Sequence, residues 1–148
     1  MKQRWDFFKE SDSSFGVFYP MHYVVAGFDT DAHAEAAAAA FREAGFAADD
    51  VATLPGNDLV NRVESQHDAN WLDRLMASVS HVVGTEAGFI EDDLKLARRG
   101  GAFVFVYAPK HEGAERASAV LRRQHPVFAR RYHEAGVVKL AYPPRSTL

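Results

Sequence analysis

The sequence predicts one α+β domain of the ferredoxin-like kind, βαβ–(helical insert)–βαβ. Its four-stranded antiparallel sheet would carry two helices on one face and the helical insert on the other. Three observations lead there. Two strand–helix–strand units flank a long amphipathic middle segment. The segments "HYVVAGF" and "AFVFVY" are apolar without alternation, so both faces of those strands need cover. The last strand carries Lys139, which suits an exposed edge. In this topology the first and third strands are central, and the second and fourth are edges.

Residues 22–28 form the first strand. The helix that follows, about 31–44, starts at Thr30 or Asp29, either of which can accept from its free N–H groups. Ala34, Ala37, Ala38 and Phe41 make one apolar stripe, and its small residues let the helix sit close to a sheet. Gly45 is placed for the left-handed conformation after the last turn, with Phe46 supplying a hydrophobic contact. "DVATL", 50–54, is a short second strand closed by Pro55-Gly56. Residues 57–99 read as helical insert. Leu72, Leu75, Met76, Val79 and Val83 repeat at helical spacing, widened by Trp71 and Val82. A second insert helix, Ile90 to Arg99, has acidic residues at its start and arginines at its end, matching the helix dipole. Gly100 stops it.

The third strand is "AFVFVY", 102–107. Helix 113–124 turns Ala117, Val120 and Leu121 inward, and "HPVFARRYHEAG" reads as a helical turn or two with Pro126 at its first position. "VVKLAY", 137–142, is the last strand. Residues 1–20 hold six aromatics among charges and serines and read as an arm that docks on the domain or on a second subunit.

Composition bounds function loosely. The 148 residues suffice for one domain with a real core, and 47% apolar with 25% charged content is ordinary for a globular protein. The chain has no cysteine, which excludes disulfides, thiolate nucleophiles and thiolate metal sites. No signal-peptide pattern and no apolar run long enough for a bilayer is visible, so a cytoplasmic setting is expected. The net charge of −3 is uneven: residues 1–100 carry a balance of −8 and residues 101–148 a balance of +5. The two parts either offset each other or leave a basic patch.

"VVAGFDTDAHAEAAAAAFREAGFAADDVATL", "RRGG" before an apolar strand, and "GAERASAVLRR" together resemble the heat-induced or general stress protein domain family. The likeness covers about two thirds of the chain and rests mostly on structural motifs. It implies a role in stress tolerance, no established reaction and no catalytic residues. The charged amphipathic insert, the aromatic arm and the "HPVFARRYHEAG" stretch depart from the family's pattern.

No catalytic motif is legible. Glu64-x-x-His67 with Asp68 resembles half of a carboxylate-bridged di-iron site, but the second Glu-x-x-His is missing, and a solvated helix face is the plainer reading. Arg122, Arg123, Arg130 and Arg131, interleaved with Phe128 and Tyr132, form a candidate anion-binding patch, and the plainer reading is an amphipathic turn. The negative overall charge argues against nucleic acid. Gly100-Gly101 lacks any phosphate-loop pattern. The candidate ligand-binding groove lies between insert and sheet, formed by Trp71, Leu72, Leu75, Met76 and Val79 against Phe103, Phe105 and Tyr107. Plain core is again the alternative. The expectation is a non-enzymatic stress-response protein that binds an apolar ligand or protein segment and needs no cofactor. The alternatives are a ferredoxin-like enzyme using haem or a metal through histidine, and a dimeric small-molecule sensor.

Overall fold

The computed structural model describes residues 21–66, 86–133 and 136–141. The elements, in chain order, are β1 (Tyr23–Phe28), α1 (Asp31–Glu43), β2 (Val51–Pro55), α2 (Gly56–Gln66), α3 (Glu86–Arg98), β3 (Ala102–Tyr107), α4 (His111–Gln124), β4 (Phe128–His133) and β5 (Gly136–Ala141), with a 3-10 turn at Ala48–Asp50 before β2. The fold is α+β. Its open antiparallel sheet has five strands, in the order β2-β3-β1-β4-β5.

The expected four strands are therefore five. The difference lies in "HPVFARRYHEAG", where β4 stands in place of the expected helical turns. Two adjacent arginines hide the strand pattern, yet alternate residues of β4 serve opposite faces. Phe128, Arg130 and Tyr132 lie on one, and Ala129 and Arg131 on the other. The last strand becomes β5, and the edges are β2, as expected, and β5, which takes the edge expected of the fourth strand. Lys139 is exposed on that edge.

β1 and β3 pair in register from Tyr23 opposite Tyr107 to Phe28 opposite Ala102. Every residue of β1 is buried, as is every residue of β3 except the half-buried Tyr107. Burial on both sides explains why neither strand alternates.

On the first face, Val24, Ala26, Phe28, Val104 and Val106 pack against Ala34, Ala37, Ala38 and Phe41 of α1 and Ala117, Val120 and Leu121 of α4. The Thr30 side chain caps α1, accepting from the His33 N–H at 3.1 Å. Gly45 takes φ +107° after the last turn, and the Phe41 and Phe46 rings stand 5.8 Å apart.

On the second face, Tyr23, Val25, Phe103, Phe105, Phe128 and Tyr132 form an aromatic-rich layer. Leu96 and Ala97 of α3 complete it, with Leu59 and Val60 of α2 at its margin. The insert helices come unusually close to backbone. A Cβ on Gly56 would lie 2.7 Å from the Cα of Ala97, and one on Gly101 would lie 2.7 Å from the Phe28 carbonyl oxygen. The Gly56 N–H donates to the Gly101 carbonyl at 2.9 Å. The two glycines of "RRGG" thus have different tasks. Gly100, at φ +93°, ends α3, while Gly101 admits Leu96 against the sheet.

Candidate functional site

The residues singled out from the sequence fall into three groups. Trp71, Leu72, Leu75, Met76 and Val79 lie outside the described residues, as do the 1–20 arm, His67 and Asp68. Phe103, Phe105 and Tyr107 all line the second face. Phe103 is 1% exposed and Phe105 7%, so both belong to the packed layer, with Tyr107 at its margin, its ring 5.1 Å from that of Tyr23.

The four arginines do not form one patch. Strand alternation sends Arg130 and Arg131 to opposite faces. Arg130 is a buried residue of the second face, whereas Arg131 is half-buried on the first, near Arg122 of α4. Arg122 and Arg123 are exposed.

Arg130 is the polar centre of the second face. Its Nε donates to the Tyr132 hydroxyl at 2.8 Å, and a terminal nitrogen donates to Asp93 Oδ2 in an ion pair. The guanidinium carbon lies 5.2 Å from the Phe128 ring centroid and 5.4 Å from that of Tyr132, so flat aromatic faces enclose the cation. Asp93 comes from α3. Its Oδ1 is buried without a hydrogen-bond partner. Burial pushes the Asp93 carboxyl above the ordinary value of 3.8; the Arg130 charge and hydrogen bond pull it down without offsetting that, and neighbouring Asp92 adds to the rise. Asp92 is itself buried. Sequence reasoning missed this pair. The signal present was "EDDL" in a helix that must cover an apolar face, with a carboxylate on the covered side.

A concavity opens on the first face, beside α4. It has a volume of about 500 Å³ and is lined by His111, Ala114, Glu115, Ser118 and Arg122 of α4, Arg131 of β4, and Val138 and Leu140 of β5. The spacing of the α4 residues marks one helix face, but nothing in the sequence announces β4 beneath it.

His33 joins the two first-face helices. Nδ1 lies 2.9 Å from Asp29 Oδ1, and Nε2 lies 2.6 Å from the Gln124 carbonyl oxygen. Among the described residues no three His, Asp or Glu side chains converge as metal ligands. Among them, too, no helix is long and apolar enough to cross a membrane.

Comparison with protein-family models, curated proteins and solved structures finds no match for this chain.

Proposed function

We propose that this is a non-enzymatic binding protein whose second sheet face receives an apolar ligand or protein segment when the insert helices lift. The observation that carries the reading is the make-up of that face. Six aromatic or aliphatic side chains from three strands form a continuous layer, closed by helices of the insert rather than by further strands. In that layer α3 meets the sheet through Leu96, Ala97 and the Asp93–Arg130 ion pair. A buried ion pair adds little net stability, because removing both charges from water offsets most of their attraction. A cover attached in this way opens at lower cost than one sealed by apolar packing alone.

The setting, stress tolerance, comes from the resemblance of "VVAGFDTDAHAEAAAAAFREAGF", "RRGG" and "GAERASAVLRR" to heat-induced stress proteins. The ferredoxin-like reading is part of the same proposal. The order β2-β3-β1-β4 supports it, with β5 as an added edge strand.

Heating the full chain below its unfolding transition tests the reading. An environment-sensitive apolar dye gains fluorescence while far-ultraviolet circular dichroism stays constant, and native mass spectrometry of freshly purified protein shows added apolar mass. A protein that shows neither before global unfolding refutes it.

A further inference from the structure

We infer that the concavity between α4 and the β4–β5 hairpin is a binding site for a small organic anion, a carboxylate or phosphate ester carried on a short apolar body. It lies on the sheet face opposite the insert and does not rest on the preceding proposal.

The site follows from how two helices cover five strands. α1 packs on β2, β3 and β1, and α4 packs on α1 and β1. The sheet then continues beyond α4 as β4 and β5. The side of α4 turned that way carries residues 111, 115, 118 and 122, each about one turn from the last. Below it, Arg131 and Val138 are direct cross-strand partners. A register shift in the β4–β5 ladder at Ala129/Arg130 leaves Leu140 as the extra residue, and it too lines the concavity. The volume of about 500 Å³ falls within the range of small-molecule sites.

Its lining has two chemical ends. Ala114, Val138 and Leu140 are apolar, and Val138 stands 51% exposed in a strand whose other large apolar side chains, Val137 and Leu140, are half-buried. Arg122, Arg131 and Ser118 supply the donors. One terminal nitrogen of Arg131 donates to the Ala108 carbonyl at 3.1 Å, while its Nε is enclosed with no acceptor. That orphaned donor makes the guanidinium gain from any small rotation toward an anion. The carboxylate in the lining, Glu115, is engaged by His111 at 3.0 Å. Arg122 and Arg131 against Glu115 leave the lining net positive, which favours an anion over a cation.

Neither half of the ligand suffices alone. A bare anion at an open arginine gains little in water, because solvent screens the pair and ordering the side chain offsets the rest. A neutral apolar molecule covers Val138 but leaves the Arg131 donor unmet.

Titration of the full chain with benzoate and phenyl phosphate, against benzyl alcohol and inorganic phosphate, tests this. At least one of the first two should bind about tenfold tighter than either of the others, with amide shifts confined to residues near Ser118, Arg122, Arg131 and Val138. Arg131→Gln should weaken that binding about tenfold and Arg122→Gln about threefold, while Arg123→Gln leaves it unchanged. Equal binding of all four probes, shifts spread over the surface, or full affinity in Arg131→Gln would overturn the inference. Should Arg131→Gln fail to fold, Val138→Glu decides at an exposed position: lost binding supports the site, and unchanged binding refutes it.

Discussion

Asp93 of α3 and Arg130 of β4, 37 residues apart, meet as an ion pair inside the aromatic layer of the sheet's second face. The contact ties the insert to the strand hardest to recognise in the sequence. Each partner is expensive to bury alone, so each makes sense only through the other.

A double-mutant cycle measures this dependence. Arg130→Met leaves the Asp93 carboxylate without its cation and should cost about 3–5 kcal/mol near neutral pH, read by urea unfolding. Combining it with Asp93→Leu should restore most of that loss. The penalty of Arg130→Met should also shrink on acidification, because a protonated Asp93 needs no counter-charge. Strictly additive costs at every pH would show the pair to be uncoupled.

The wild-type pair has its own pH signature. The folded-state pKa of Asp93 lies above the ordinary 3.8, so the folded chain binds the proton more tightly than the unfolded one. Its stabilising contribution is full below 3.8 and is lost as pH rises through the folded value. Asp93→Asn should flatten that part of the stability–pH curve, and an unchanged curve would contradict the assignment.

His33 works in the same sense in a different window. Asp29 chiefly, and the Gln124 carbonyl after burial has acted the other way, raise its pKa above 6.5. The bridge between α1 and α4 is therefore at full strength below 6.5 and weakens as pH rises through the raised value. Asp29, lowered mainly by the His33 hydrogen bond, is the complementary partner. Melting temperatures across this range should fall less in His33→Gln than in wild type, and parallel curves would count against the bridge.

The close approach of α2 and α3 is testable at Gly56. A Cβ there would meet the Ala97 backbone at 2.7 Å, where nothing flexible can yield. Gly56→Ala should destabilise by about 1–3 kcal/mol and raise apolar-dye binding at ambient temperature, as the insert loosens from the sheet. Stability equal to wild type would mean that the helices have room to spare.

Truncating the aromatic layer should cost about as much as breaking the ion pair. Phe103 is nearly fully buried, its ring centroid 6.4 Å from that of Phe128. Phe103→Ala should cost about 3–5 kcal/mol in chemical denaturation, whereas Val138→Ala, at an exposed site, should stay within about 0.5 kcal/mol.

Much of this architecture was legible because local chemistry and tertiary fold agree. The alanine stripe of α1, Gly45 and Gly100 at helix ends, and the doubly apolar β1 and β3 each follow from period, capping or burial. The identity of Phe103, Phe105 and Tyr107 as second-face residues followed from strand alternation once β3 was placed. β4 was illegible because its signal is spoiled by Arg130 and Arg131. A buried arginine reads as a surface residue until its carboxylate and its two aromatic neighbours are known.

The sequence by itself determined which segments are apolar on one side, which on both, and where helices stop, since these depend on residues a few positions apart. Only the tertiary structure decided that two adjacent arginines part company, one neutralised beneath the insert and one beside α4. A strand's side chains point alternately to opposite faces, and what each face holds is set by elements far away in the chain. The same holds for the concavity on the first face. It exists because a fifth strand extends the sheet past the reach of two helices, and no local pattern encodes that mismatch.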